Sequence, residues 1–272
     1  MIVFCVGMIR SGSTLQYQIV SELIEKCGFG RSIGWVPPEK IDTIIDASYD
    51  DSNFIVVKSH DVTNKMLSLS KEKVKFFYIY RDIRDVTVSA MRQFNWSFEE
   101  SIDHLSWSLD IHNKIEKCSD HDIYISKYEE VFNNLRSEVR SISQYLGVNA
   151  SEDIIESITN NLSIESQKEK VKKFKSKHDS LIENPDNEGD FVDTKTQLHI
   201  NHINKGKING FLDILTKEQV LFLNLKFYTW LYIHEYQIDD HDLKPLFEDA
   251  IKKYIITSNS NLELRNKVQE LL

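Results

Sequence analysis

Cysteine is scarce in this chain of 272 residues: Cys5, Cys27 and Cys118 stand far apart. An odd number at wide spacing fits neither a disulfide framework nor a clustered zinc site, so these read as reduced, small core residues. No uninterrupted run of about 18 apolar residues occurs, which excludes a membrane-spanning helix on length. The opening Met1-Ile2-Val3-Phe4-Cys5-Val6-Gly7 has no basic region before its short apolar run. It lacks the form of a signal peptide, and a cytoplasmic protein is expected. Positive charge is in deficit as well, with 33 basic against 42 acidic side chains and a net charge of −9. That balance argues against nucleic acid or another long polyanion as the main partner, while leaving room for a local basic pocket. No internal repeat is visible. With 41% hydrophobic residues, the chain has enough apolar material for a packed core.

Short β-rich runs alternate with helical patterns through the first half. Ile2 to Val6, Phe54 to Lys58, Lys75 to Tyr80 and Asp122 to Ser126 have strand length and composition. Leu15, Ile19, Val20, Leu23, Ile24 and Cys27 recur at helical spacing, and Gly28 supplies a left-handed stop. Ser97 to Cys118 and Tyr128 to Leu146, the latter ended by Gly147, read as amphipathic helices. The alternation predicts an α/β fold with a central parallel sheet flanked by helices. Residues 163–204 change character, with crowded lysines from Lys168 to Lys177 and a polar stretch from Glu183 to Asp190. They read as a mobile polar insertion, followed by a helical C-terminal region over residues 217–272.

Between the first strand and the first helix lies Gly7-Met8-Ile9-Arg10-Ser11-Gly12-Ser13-Thr14. The spacing of Gly7, Gly12 and Thr14 matches the phosphate-loop pattern G-x-x-x-x-G-K-[ST], with Ser13 where the lysine belongs. Such a loop binds anions through backbone N–H groups at a helix N-terminus, and Arg10 adds a cation inside it. A second stretch, Tyr80-Arg81-Asp82-Ile83-Arg84-Asp85-Val86-Thr87-Val88-Ser89, starts at the end of the strand running to Tyr80. Carboxyl ends of parallel strands are where such sheets take ligands. There Arg81 can fork onto a phosphate and Ser89, in the following helix, can donate a hydroxyl to it. A third group, Lys58-Ser59-His60, ends the strand from Phe54. Histidine, with its ordinary pKa near 6.5, suits removal of a proton from a nucleophile at neutral pH.

These motifs, in this order, resemble the sulfotransferases that use 3′-phosphoadenosine 5′-phosphosulfate (PAPS). Arg10-Ser11-Gly12-Ser13-Thr14 is similar to that family's 5′-phosphosulfate loop in its arginine form, and Arg81 with Ser89 to its 3′-phosphate clamp. Tyr128-Glu129-Glu130 is similar to the Y-E-D segment, and Tyr145-Leu146-Gly147-Val148 to a later L-G stretch. Lys205-Gly206-Lys207-Ile208-Asn209-Gly210-Phe211 is similar to the late glycine-basic loop over the 3′-phosphate, its second glycine one residue late and Phe211 in place of tryptophan. Lys58-Ser59-His60 is similar to the K-x-H of the cytosolic branch.

The resemblance implies one phosphate-loop sulfotransferase domain over 1–272, with PAPS as donor, 3′,5′-bisphosphoadenosine (PAP) as product and no metal. It places Arg10, Ser11, Gly12, Ser13, Thr14, Arg81, Ser89, Tyr128, Lys205, Gly206 and Lys207 on the donor, and gives catalysis to His60, Lys58 and Arg10. Arginine-loop members often use a glutamate as base, for which Glu39 is the substitute. The acceptor is expected to be a small molecule, lipid or carbohydrate bearing a hydroxyl or amine; neither its identity nor an oligomeric state is written in a recognisable motif. A phosphate-loop kinase or nucleoside triphosphatase, and a silent nucleotide-binding module, are the alternatives. His199 and His202 read as part of a polar strand or loop, and Trp96 and Trp107 as core residues.

Overall fold

The computed structural model describes residues 1–48, 53–117, 123–176, 181–184, 189–201 and 207–238. The described residues form two compact units, one drawn from 1–81 and 85–208 and one from 82–84 and 209–238.

The first unit is built on a five-stranded parallel sheet: β1 (Ile2–Gly7), β2 (Gly30–Trp35), β3 (Phe54–Ser59), β4 (Val74–Tyr80) and β5 (Ile123–Lys127), in the order β2-β3-β1-β4-β5. All six residues of central β1 are buried. A parallel strand covered on both faces needs apolar residues throughout, which is why β1, β3 and β4 are legible as continuous apolar runs. The edge strand β2 is different: Gly-Arg-Ser-Ile-Gly-Trp has no such run, and the sequence alone does not announce it. It forms because Gly30 lets two backbones meet, since a Cβ there would lie 2.0 Å from the Phe54 carbonyl oxygen.

Helix α1 (Ser13–Lys26) leaves the loop after β1 and stops where Gly28 takes φ +73°. Its Tyr17, Ile19, Val20, Leu23 and Ile24 are fully buried and pack with Val139, Ile142 and Leu146 of a later helix and Ile155, Ile158 and Leu162 of the next. Each such side chain contributes about 1.5–3 kcal/mol of burial. The other helices here are α2 (Pro38–Ser48), α3 (Asn64–Ser68), α4 (Ile83–Phe94, in this unit from Asp85 on), α5 (Phe98–Glu116), α6 (Tyr128–Asn133), α7 (Leu135–Leu146), α8 (Glu152–Leu162) and α9 (Ile164–Ser176). In α5 the buried apolar positions are Ile102, Leu105, Ile111 and Ile115, whereas Trp107 is exposed, so the expectation of a core residue there was wrong. Trp96 lies just before α5, stacked between Phe94 and His104. Cys5 is buried and Cys27 partly so, both as free thiols; Cys118 lies outside the described residues.

Within the polar segment of residues 163–204, α9 is followed by a short antiparallel pair, β6 (Ile182–Glu183) with β7 (Phe191–Val192). Val192 also bridges to His199, while Leu198 and Ile200 are buried. Residues 177–180, 185–188 and 202–206 lie outside the described residues.

The second unit contains a 3₁₀ turn (Gly210–Asp213) and helices α10 (Lys217–Lys226) and α11 (Tyr228–Ile233). Its centre is Arg84, which grips Asp82 (Nε–Oδ1 3.0 Å, Nη2–Oδ2 2.7 Å), donates to Asn224 and the Gln237 carbonyl, and lies 4.4 Å over the Phe211 ring. Residues 239–272, where the sequence also suggests helix, lie outside the described residues.

Candidate active site

Strand order brings the chemistry together. β3 and β4 flank β1, so the loop after β1, the end of β3 and the end of β4 open at the same edge of the sheet. This is where open parallel sheets take ligands.

The loop itself is shaped by side chains that need not touch a ligand. Ser11 is fully buried, its hydroxyl 2.6 Å from the Met8 carbonyl and 2.9 Å from that of Ile79, so it holds the loop's curvature. Arg10 and Gly12 both take left-handed backbone, φ +59° and +91°. A Cβ at Gly12 would lie 2.8 Å from Tyr128 Cδ2, and one at Gly7 would lie 2.8 Å from Ser13 Cβ. Both glycines therefore clear a cradle at the start of α1, which has no side-chain cap. The first-turn N–H groups there are the anion donors a phosphate loop requires.

Cations converge on this cradle. Lys58, 3% exposed at the end of β3, reaches across to α1 with Nζ 2.9 Å from Thr14 Oγ1. Burial and then neighbouring Arg10 push its ammonium down to about 7. Arg10 donates from Nε to Ser89 Oγ at 3.1 Å; burial, followed by Arg92 and Arg81, lowers its guanidinium to about 10. His60 donates from Nδ1 to the Gly7 carbonyl at 3.0 Å, which fixes Nε2 as the proton-accepting nitrogen. Burial and then Lys58 depress the imidazole to about 4. Buried Arg10 and Lys58 with depressed pKa values, gathered at a phosphate loop, mark a candidate anion site.

Arg81 does not meet Ser89 directly. Its Nη2 pairs with Asp85 at 3.1 Å and with the Lys207 carbonyl at 2.9 Å, and its guanidinium lies 4.4 Å over Tyr128. Its Nε is buried with no partner among the described residues. Lys207 thus offers backbone oxygen to Arg81 while its side chain is exposed; Lys205 and Gly206 lie outside the described residues. Glu39, the alternative base, is exposed in the first turn of α2. Sequence reasoning missed Arg92, whose charge bears on Arg10 and whose only signal is its place one turn beyond Ser89.

The sulfotransferase domain family matches residues 2–222. The chain belongs to this family. Rat (Rattus norvegicus) Sulfotransferase 1A1 is 25% identical, the match covering 59% of this chain and 64% of that protein. Retinol dehydratase, solved with androsterone and the inactive cofactor PAP, superposes with a TM-score of 0.56 at 19% identity over 89% of this chain and 83% of that one. Mouse sulfotransferase SULT7A1 complexed with PAP gives 0.55 at 13% identity, over 95% and 88% of the respective chains. The fold expected from sequence is the one found: the phosphate-loop α/β architecture of the sulfotransferases, with its parallel sheet between helices.

Proposed function

We propose that this protein transfers a sulfuryl group from PAPS to a hydroxyl or amine acceptor. The observation that carries this reading is the convergence of Arg10, Lys58 and His60 on a phosphate loop whose usual lysine is replaced by buried Ser13. The residues fit the donor nucleotide: glycines clear space that a Cβ would fill, and the buried, unpartnered Arg81 Nε adds a donor for a second anionic group.

The donor, when bound, supplies an activated sulfuryl group on a phosphate oxygen. The chain's part is to hold and neutralise. The loop N–H groups, Ser13, Thr14, Arg10 and Lys58 would grip the 5′ end, and charge building on the leaving phosphate oxygen is stabilised by Lys58 and Arg10 without a metal. Arg81, Ser89 and Tyr128, with Lys205, Gly206 and Lys207, would hold the 3′-phosphate end. His60, with Nε2 as its accepting nitrogen, takes the acceptor's proton. The androsterone found with one structural relative is a small apolar alcohol, which supports a small hydroxyl-bearing acceptor here.

Nucleotide preference tests the reading without knowledge of the acceptor. PAP should raise the melting temperature strongly without magnesium, since a ligand at a hundredfold excess over Kd adds about 2.7 kcal/mol. ATP should shift it weakly. A larger, magnesium-dependent shift with ATP would favour a kinase, and no shift with either would favour a silent module. Among the described residues no helix is long and apolar enough to cross a membrane.

A further inference from the structure

Arg10, Lys58, Arg81 and Ser89 answer the two anionic groups of a nucleotide, and none of them offers a flat apolar surface to its base. A purine has two broad π faces, and an aromatic side chain covers one by stacking on it. The aromatic residue that α1 carries beside the loop cannot do so. Tyr17 is fully buried, its hydroxyl accepting from the Gly34 N–H at 2.9 Å and donating to the Lys195 carbonyl at 3.2 Å. Leu15, which follows the loop directly, packs against the core.

Tyr128 touches both anionic subsites. Its ring edge meets the phosphate loop, where a Cβ on Gly12 would lie 2.8 Å from Cδ2 and 3.1 Å from Cε2. One face of the same ring carries the Arg81 guanidinium at 4.4 Å. A nucleotide with one phosphate at the loop and another at Arg81 therefore runs past Tyr128. One helical turn along α6 stands Phe132, its ring centroid 5.8 Å from that of Tyr128 and its plane tilted by 32°. That separation lies within the roughly 4.5–7 Å of interacting aromatic pairs. Residues four apart share a helix face, so Phe132 stands on the side of α6 that Tyr128 turns to the loop. Guanidinium, phenol and phenyl thus form a row, and its last member is open. Val131 is 2% exposed and gives α6 its contact with the core, whereas Phe132 beside it is 38% exposed.

We infer that Phe132 is the base-stacking residue of the donor site, presenting its exposed ring to the adenine of PAPS and PAP. This rests on the sulfotransferase reading. Donor and product carry the same base, so the contact holds both alike and leaves the transfer step itself untouched.

The test compares PAP with ribose 3,5-bisphosphate, which keeps both phosphates and lacks the base. Phe132→Ala should weaken PAP about five- to hundredfold and leave ribose 3,5-bisphosphate within about twofold. Phe132→Tyr, which keeps a ring, should bind PAP nearly as the parent does. In turnover, Phe132→Ala should raise KM for PAPS with kcat little changed. In the parent protein, nuclear Overhauser contacts should join the adenine protons of bound PAP to the Phe132 ring, assigned by their loss in Phe132→Ala. Unchanged PAP affinity in Phe132→Ala, equal loss of both ligands, equal loss in Phe132→Tyr, or no contact between adenine and Phe132 in the parent would each overturn the inference and leave the sulfotransferase reading intact. A wild-type protein that neither shifts its melting with PAP nor releases PAP from PAPS would remove that reading first.

Discussion

Lys58 Nζ lies 2.9 Å from Thr14 Oγ1, joining the end of β3 to the first turn of α1 across the mouth of the phosphate loop. The contact makes the loop's missing lysine intelligible. A cation is supplied to the same place from the neighbouring strand, and its burial, together with the charge of Arg10, holds its pKa at about 7.

Binding of PAP should therefore take up a proton. A bound anion favours the charged ammonium and raises the Lys58 pKa from about 7. Affinity should then be constant below that value and fall as pH rises through it, by up to about tenfold per pH unit until the bound-state pKa is passed. Calorimetric titration at alkaline pH in two buffers of different ionisation enthalpy measures the uptake directly. Identical heats in the two buffers would show that Lys58 does not face the anion.

Arg81 has two tasks that one substitution confuses. Arg81→Ala should weaken PAP binding about ten- to hundredfold by removing a charge-assisted contact of roughly 1.5–3 kcal/mol, with adenosine 5′-monophosphate little affected. It also removes the Arg81 ion pair from Asp85, whose side chain is only 2% exposed. Breaking a buried pair from one side costs roughly 3–5 kcal/mol, so the variant should melt early. Adding Asp85→Asn should restore most of the stability and none of the PAP affinity. Recovery of both would mean that Arg81 acts on the nucleotide only through the fold.

Much of this architecture is legible in the sequence because its chemistry is local. β1, β3 and β4 are buried on both faces and read as unbroken apolar runs; the glycine spacing of the loop and the run from Tyr80 to Ser89 sit at strand ends the same runs reveal. What escapes is what depends on meeting across distance. β2 exists through the close approach of Gly30 to Phe54, which leaves no hydrophobic signature. Lys58 and Thr14 meet only once the sheet is assembled, and Ser89 bonds to Arg10, with Arg81 turned to Asp85 instead. His199 reads only as part of a polar strand or loop, because Asp190 comes to it through the bridge between Val192 and His199.

Glu138 offers a stability test remote from the nucleotide. It accepts from Ser126 Oγ at 2.5 Å and from Tyr124 OH at 3.1 Å, while Gln16 Nε2 of α1 donates to Ser126. Burial pushes its carboxyl up. A carboxyl raised in the folded state stabilises below its unfolded pKa, and that contribution is lost as pH rises through the folded value. Glu138→Gln keeps an oxygen for Ser126 and removes the charge. Urea unfolding should find the variant as stable as the parent in acid and more stable at neutral pH. A loss of stability at neutral pH would show that the hydrogen bonds need the carboxylate.

His60 and Glu39 divide on position. His60 is tied to the Gly7 carbonyl at the phosphate loop, and Glu39 is exposed at the start of α2. His60→Ala should lower turnover by roughly 10²-fold and leave PAP affinity nearly intact, because a base acts on the reacting proton and takes no part in holding the donor. Glu39→Gln should leave turnover unchanged. The pH profile adds a sign. In the free enzyme burial and Lys58 hold His60 at about 4, so kcat/KM should show no acid limb from this group above that value. In the ternary complex the donor's negative charge favours the imidazolium, so the limb seen in kcat should move to higher pH. Abolished turnover in Glu39→Gln with activity surviving in His60→Ala would transfer the base to the carboxylate and leave His60 as a support for the loop.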